Sequence, residues 1–138
     1  MGRIMAIDYG QKRSGLAISD PCRIIAGGLA TVASAELLEY IKQYVAAEDV
    51  ELFVVGYPRR ADNSDSDNMK HVAGFVRRLG QAVPQIPVEY ADERFTSVLA
   101  KQAMISGGLK KKKRRDKALV DEVSAVIILQ SYLESKYY

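Results

Sequence analysis

The feature that most limits the fold is a four-residue run without a polar side chain, LFVV at positions 52–55. Such a run is typical of a β-strand that is covered on both faces, as in a sheet between two layers of helices. Helical periodicity flanks it. One pattern begins at Ser34, a candidate N-cap, and ends near Ala47, and a second extends from Met69 to Leu79. The sequence therefore predicts an α/β fold with helices on both faces of the sheet.

Shorter apolar patterns predict the other strands. The segments RIMAI (residues 3–7) and GLAIS (15–19) flank a polar stretch that contains Gly10. They predict an N-terminal hairpin whose loop is longer than two residues. Further strands are expected at residues 28–32 and 88–91. A hairpin followed by alternating helices and strands indicates a mixed sheet rather than an all-parallel one.

Two more helices are predicted in the C-terminal half of the chain. One is capped by Thr96 or Ser97 and stops at Gly107, and the last spans about residues 119–133. A chain of 138 residues is long enough to bury an ordinary core without a disulfide or a zinc ion. We therefore expect a single domain over residues 1–138.

The composition excludes several kinds of site. Cys22 is the only cysteine, which rules out an internal disulfide and a multi-cysteine metal site, and it is expected to be an inert thiol. His71 is the only histidine and is expected at the surface. No apolar run approaches the roughly 18–20 residues that span a bilayer, and the N-terminus carries no signal-peptide pattern. We expect a cytoplasmic protein that does not contact a membrane.

Positive charge is concentrated in one segment. The chain carries +3, yet residues 110–117 (KKKKRRDK) contain seven basic and one acidic residue, so the other 130 residues together carry −3. Six of these basic residues are predicted to contact phosphates of a nucleic acid: Lys110, Lys111, Lys112, Lys113, Arg114 and Arg115. Such contacts give salt-dependent affinity without reading base sequence. The alternative is a basic run that is only solvated.

Acidic residues follow two of the predicted strands and begin the last helix. Asp8 ends the first strand, Asp92 and Glu93 end the strand at residues 88–91, and Asp121 lies near the start of the last helix. Carboxylates from separate elements can hold hard divalent cations, and two such ions can activate water for phosphodiester cleavage. Acids in these places also serve as turn formers or as partners of the helix dipole. Both interpretations stay open on the residues alone.

Four segments resemble those of one known family. They are AIDYGQKRSGLAISD (residues 6–20), VVGYP (54–58), DERFTS (92–97) and VDEVSAVIILQ (120–130). In this order they are similar to the family patterns D-Y-G-x-K-R-x-G-x-A-x-S-D, V-G-x-P, D-E-R-x-T-S and D-x-x-A-A-x-x-I-L-Q. The chain thus resembles the YqgF/RuvX family of pre-16S rRNA nucleases, which are similar to Holliday junction resolvases. Asn63 and Ser124 depart from the family patterns.

The resemblance implies an RNase H-like fold and a catalytic, metal-binding set. That set is Asp8, Glu93 and Asp121, and the ion it would hold is Mg²⁺ or Mn²⁺. The neighbouring Asp92 is a further candidate ligand. Asp116 is a candidate N-cap of the last helix.

Three basic residues lie within the matching segments and are candidate substrate contacts. Lys12 and Arg13 follow the first acid, and Arg94 follows the second. Each is suited to bind a phosphate group. The alternatives are solvated hairpin charges for Lys12 and Arg13, and a structural ion pair for Arg94.

The resemblance implies a metal-dependent endonuclease that acts on structured RNA, in the maturation of the 5′ end of pre-16S rRNA. A Holliday junction resolvase acting on DNA would use the same site. A non-catalytic, RNA-binding factor of ribosome assembly is the alternative from another class, and it would not need the carboxylates. An actin-like ATPase pairs two lobes around its nucleotide, for which 138 residues are too few. The expected partner is a nucleic acid, and the expected state is a monomer or a homodimer.

Overall fold

A mixed five-stranded sheet forms the centre of the molecule in a computed structural model, which describes residues 2–57, 69–92 and 117–137. The strands are β1 (Arg3–Asp8), β2 (Arg13–Ser19), β3 (Ala26–Ala33), β4 (Val50–Tyr57) and β5 (Val88–Asp92). Their order in the sheet is β3-β2-β1-β4-β5. The first three strands pair antiparallel, whereas β4 runs parallel to both β1 and β5. The mixed sheet predicted from the sequence is confirmed.

Three helices are described: α1 (Leu37–Ala47), α2 (Met69–Ala82) and α3 (Lys117–Tyr137). Each was expected from its periodicity, although α2 and α3 extend beyond the predicted bounds. The predicted hairpin is confirmed as well, with residues 9–12 forming its loop. The predicted helix between Thr96 and Gly107, the N-cap Asp116 and the basic segment 110–115 lie outside the described residues.

Successive residues of a strand face opposite sides of the sheet, and the chain uses both sides for its core. One side is covered by α1 and α2, with a cluster that includes Met5, Ile7, Leu16, Phe53, Val55, Leu37, Ile41, Phe75 and Leu79. The other side is covered by α3, with a cluster that includes Ile4, Ala6, Ala17, Val54, Ala125, Leu129 and Leu133. Helices therefore lie on both faces, and the polar-free run in β4 is covered on both sides as expected.

The prediction that Ser34 caps the first helix is wrong. Ser34 begins a short 3₁₀ turn that ends at Glu36, and α1 starts only at Leu37, without a side-chain cap. The hydroxyl of Ser34 instead donates to the carbonyl oxygen of Gly10, at 2.6 Å. A serine before a helical pattern is a good cap when no stronger partner is near, and here the hairpin loop provides that partner.

Three expectations about single features can be compared with the structure. His71 is exposed on α2, as predicted. Cys22 is an exposed free thiol in the turn between β2 and β3. In the described part of the chain, no helix has the length and apolar character required to cross a membrane.

Candidate active site

Asp8 lies at the carboxyl end of β1, on the side of the sheet that α3 covers. Its side chain has the same orientation as those of Ile4 and Ala6, because it follows Ala6 by two residues. Across the β1–β2 ladder, Asp8 is paired with Gly15. Cross-strand partners project to the same side of a sheet, so position 15 also faces α3.

Gly15 allows the backbone of α3 to come directly against β2. A Cβ atom at this position would overlap the carbonyl oxygen of Asp121 and would lie 3.0 Å from the backbone nitrogen of Glu122. These are backbone atoms that cannot rotate away, so a residue with a side chain would push α3 off the sheet. The absence of a side chain at Gly15 therefore allows Asp121 to lie next to the position of β2 that pairs with Asp8.

Arg13 and Asp121 form an ion pair between β2 and α3. The Nε atom of Arg13 donates to Oδ2 of Asp121 at 2.5 Å. Arg13 precedes Gly15 by two residues and so has the same orientation. The two side chains are 38% and 27% exposed, respectively, so the pair lies at the rim of the site rather than inside the core. Of the candidate residues that the structure describes, Asp8, Arg13 and Asp121 thus share one side at one end of the sheet.

The hairpin loop between β1 and β2 is held by a closed ring of hydrogen bonds. The backbone nitrogen of Gly10 donates to Oγ of Ser14 (3.2 Å), and the Ser14 and Ser34 hydroxyls are 2.8 Å apart. The Ser34 hydroxyl donates back to the Gly10 carbonyl, so the Ser14 hydroxyl is left to donate to Ser34. The Ser34 nitrogen also donates to the carbonyl oxygen of Lys12, at 2.9 Å. These bonds fix the loop that follows Asp8.

An aromatic stack also holds the strand end that carries Asp8, on the side of the sheet that α1 and α2 cover. The rings of Tyr9 and Phe75 are nearly parallel, with centroids 4.7 Å apart. Phe75 is buried in α2, and Tyr9 directly follows Asp8. Offset stacking of this kind contributes about 0.5–1.5 kcal/mol beyond the area buried. The strand end that carries Asp8 is therefore anchored by both the hydrogen-bonded ring and the aromatic stack.

The carboxyl ends of the three parallel strands are aligned beside Asp8. Ile7 pairs with Val55, and Val55 pairs with Tyr90, so β1, β4 and β5 end at nearly the same level. Asp92 is the last residue of β5 and pairs with Tyr57, the last residue of β4. Ligands of open α/β sheets collect at such strand ends.

The remaining predicted site residues are Lys12, which the structure describes, and a group that lies outside the described ranges. Lys12 is exposed in the hairpin loop. The others lie outside the described residues: Glu93, Arg94, Lys110, Lys111, Lys112, Lys113, Arg114 and Arg115. Within the described ranges, no group of three or more His, Cys, Asp or Glu side chains is arranged to hold a metal ion. Because Glu93 is outside those ranges, the predicted three-acid set stays a prediction.

Reasoning from the sequence missed Ser14 and the true role of Ser34. Both hydroxyls support the loop next to Asp8, and Ser14 is fully buried. A buried serine inside an apolar strand pattern is the one signal that indicates a partner for its hydroxyl. Nothing in the local sequence identifies that partner as Ser34.

The architecture of the sheet and helices is an RNase H-like fold. RuvC of Thermus thermophilus, in a structure described as a complex with a Holliday junction substrate, superposes with a TM-score of 0.56 at 17% identity, over 99% of this chain and 96% of RuvC. Another structure of Thermus thermophilus RuvC gives a TM-score of 0.50 at 15% identity, over 97% and 95% of the two chains.

The family follows from the sequence comparisons. The family described as RuvX, Holliday junction resolvase, matches residues 2–135. A Parabacteroides distasonis protein named "Putative pre-16S rRNA nuclease" is 60% identical over 100% of this chain and 99% of its own length. A Phocaeicola vulgatus protein of the same name is 59% identical over the same shares. The chain belongs to the RuvX family, and the resemblance inferred from its four segments is confirmed.

Proposed function

We propose that this chain is a divalent-metal-dependent endonuclease that cleaves structured RNA, and that it matures the 5′ end of pre-16S rRNA. The observation that carries the proposal is the approach of α3 to β2 at Gly15, which brings Asp121 to the side of the sheet on which Asp8 ends β1. The names of the relatives at 59–60% identity support the choice of RNA as the substrate.

The described residues fit a hard divalent cation. Carboxylate oxygens are the ligands that Mg²⁺ and Mn²⁺ prefer, and Asp8 and Asp121 supply them from two elements. The softer ligand types are elsewhere, because Cys22 is in the β2–β3 turn and His71 is on α2. We assign Asp8, Glu93 and Asp121 as the ligands. A cation held there would supply Lewis-acid activation of water and stabilisation of the leaving oxygen.

The other candidate residues hold the substrate in this proposal. Arg13 and Lys12 lie beside Asp8 on the hairpin, and guanidinium and ammonium groups bind phosphate oxygens through charged hydrogen bonds. Arg94 and the six basic residues of segment 110–115 would add phosphate contacts. Affinity for RNA should therefore fall steeply with salt and depend little on base sequence.

Resolution of DNA junctions is the second candidate, because the family description names a Holliday junction resolvase. The same carboxylates would serve either substrate, since both reactions break a phosphodiester bond. Digestion of a pre-16S rRNA fragment and of a four-way DNA junction, in the same buffer, separates the two. Cleavage of the junction alone would contradict the proposed RNA substrate.

The Asp8→Asn variant tests the proposed site. It should lower Mg²⁺- or Mn²⁺-dependent cleavage of the rRNA fragment by at least about a hundredfold. Loss of a residue that only hydrogen-bonds to a metal ligand already lowers metal affinity or activity by about 10–100-fold, and Asp8 is proposed to be a ligand itself. Asp20→Asn is the matched control, because Asp20 also follows a strand but lies at the other end of β2. Cleavage by Asp8→Asn at the rate of the control would contradict the assignment.

EDTA distinguishes the enzyme from a non-catalytic binding factor. The proposed enzyme should lose cleavage in EDTA. An assembly factor that works without the carboxylates would bind RNA equally well in EDTA and in the Asp8→Asn variant, and would show no cleavage in either condition. RNA binding by filter retention and cleavage by gel, in parallel samples, decide between them.

A further inference from the structure

We propose that Arg13 is an internal counterion of Asp121. Its guanidinium neutralises the Asp121 carboxylate while no metal is bound, competes with the incoming cation, and then becomes available to bind a substrate phosphate. This inference rests on the proposed function, because it concerns the same carboxylates. It assigns to Arg13 a second task besides phosphate contact, and it couples metal binding to RNA binding.

The geometry of the pair is the first argument. Nε of Arg13 lies 2.5 Å from Oδ2 of Asp121, so one lone-pair site of a proposed metal ligand is already used. The two residues are 108 positions apart in the chain. Their approach depends on Gly15, which lets α3 contact β2. The same packing that delivers Asp121 to the site therefore also delivers it to Arg13.

The exposure of the pair is the second argument. Arg13 is 38% exposed and Asp121 is 27% exposed. A deeply buried ion pair is costly to open, because each charge would be left without a partner. A pair at the rim is weaker, since water screens it, and its measured worth is commonly up to about 1 kcal/mol. Arg13 can therefore leave Asp121 at low cost, and the proposal requires this because a divalent cation has to displace it.

Charge balance is the third argument. Asp8 and Asp121 place two carboxylates on one side of the sheet, and these carboxylates repel a phosphate group. The guanidinium of Arg13 is monovalent and offsets at most one of these two charges. A divalent cation offsets more of the negative charge and leaves Arg13 at the rim with five N–H donors for a phosphate group. Metal and RNA should therefore each strengthen the binding of the other.

Calorimetric titration of the full chain with Mn²⁺ tests the competition. Arg13→Gln should bind Mn²⁺ about three- to tenfold more tightly than the wild type. In the variant, Mn²⁺ binds Asp121 without first breaking the ion pair with Arg13. A role of Arg13 limited to holding Asp121 in place predicts the opposite sign, a weaker or unchanged affinity. Tighter binding supports the counterion role, and unchanged or weaker binding overturns it.

Two further variants serve as controls. Arg23→Gln removes the same charge at the other end of β2, where Arg23 pairs with Glu51, and should leave the affinity for Mn²⁺ within about twofold. If Arg23→Gln tightens binding as much as Arg13→Gln does, the effect is one of net charge and the counterion role is overturned. Arg13→Met, which keeps the aliphatic stem, replaces Arg13→Gln if the latter does not fold, and the same tightening is expected.

Coupling to RNA is measured separately, by fluorescence anisotropy of a labelled RNA duplex in EDTA and in Mn²⁺. In the wild type, Mn²⁺ should increase the affinity by a factor that is larger than in Arg13→Gln, because only the wild type gains a released guanidinium. Equal factors in the two proteins would overturn the release step. Circular dichroism of each variant shows that its fold is intact.

The failure of this inference differs from the failure of the proposed function. If the wild type binds no Mn²⁺, or if Asp8→Asn binds it as tightly as the wild type, the metal site and the counterion role are both overturned. If Asp8→Asn binds Mn²⁺ weakly but Arg13→Gln binds it no more tightly than the wild type, only the counterion role is overturned.

Discussion

The two ends of strand β2 carry charged groups in different ways. At the end near residues 20–25, Asp20 accepts hydrogen bonds from the backbone nitrogens of Ile24 (2.7 Å) and Ile25 (2.9 Å) in its own turn. At the other end, Asp121 reaches Arg13 from an element 108 positions away. Both acids lie beside a strand end, yet only Asp20 has its partners within six residues of itself.

This difference separates an acid that forms a turn from the acid that we propose as a metal ligand. The backbone N–H groups of Ile25 and then Ile24 lower the pKa of Asp20, so its charge is already matched by the turn. The partner of Asp121 is a side chain that can leave. Only the second arrangement allows an incoming cation to replace Arg13 at Asp121, or a phosphate to replace Asp121 at Arg13. We therefore propose the site at the Asp8 end of the sheet.

The far end also carries an ion pair, but this pair is tied to the backbone of the N-terminal segment. Arg23 contacts Glu51 through one carboxylate oxygen, and the other oxygen accepts from the backbone nitrogen of Gly2 at 2.8 Å. Arg23 also donates from Nε to the Gly2 carbonyl, at 3.1 Å. The group ties the N-terminal segment to β4.

The largest loss of stability is expected from Gly15→Ala, which would push α3 away from β2 at the Asp8 end. The added Cβ would overlap backbone atoms of Asp121, so the free energy of unfolding should fall by about 3 kcal/mol, the upper range for overpacking. Gly27→Ala is the control, in β3 opposite Ile18 near the far end of β2, because its Cβ would lie 3.9 Å from the Ile18 carbonyl oxygen, an ordinary contact. Urea denaturation measures both. Equal losses would contradict the close approach.

A smaller effect is expected from Ser34→Ala, which opens the hydrogen-bonded ring of the hairpin loop. The Gly10 carbonyl and the Ser14 hydroxyl would lose their partner, at a cost of about 1–2 kcal/mol in the free energy of unfolding. Cleavage should fall as well, because the loop follows Asp8. Ser135→Ala, which removes an exposed helical hydroxyl, should change the stability by less than about 0.5 kcal/mol. A loss no larger than in this control would show that the ring does not hold the loop.

The smallest effect is expected from Asp20→Asn, and it should depend on pH. Because the folded pKa of Asp20 is lowered from 3.8, the carboxylate stabilises the fold above that pH, and this stabilisation is lost as the pH falls through the lowered value. The melting temperature of the wild type should exceed that of Asp20→Asn at pH 6, and the difference should shrink below about pH 4. A difference that stays constant down to pH 3 would contradict the turn-forming role.

Local patterns account for what could be predicted from the sequence. The strands and helices have periods that depend on adjacent residues, so the apolar run in β4 and the faces of α1 and α2 were found correctly. Their ends were less accurate, since α3 begins and ends beyond the apolar stretch that signalled it. Asp8 and Asp121 are candidates because of their places at a strand end and near a helix start, and because each lies in a matching family segment, and their role stays a prediction.

Contacts between distant residues account for what could not be predicted. Ser34 looks like a helix cap when only its neighbours are considered, and its true partner, Gly10, lies 24 residues earlier. Arg13 and Asp121 were both candidates, but their pairing depends on how α3 docks on β2. The sequence alone does not show which basic side chain will form an ion pair with a given acidic one.

The position of Asp121 on the last described helix has a consequence for the order in which the site is made. Translation produces β1 to β5 before α3, so Asp8 and Arg13 exist on a finished hairpin while Asp121 has not yet been synthesised. Arg13 acquires its acidic partner only when α3 packs against Gly15, a contact between residues far apart in the chain. A nascent chain that lacks α3 therefore carries Lys12 and Arg13 without the Asp121 carboxylate, and under the proposed function it would bind RNA before it could cleave it.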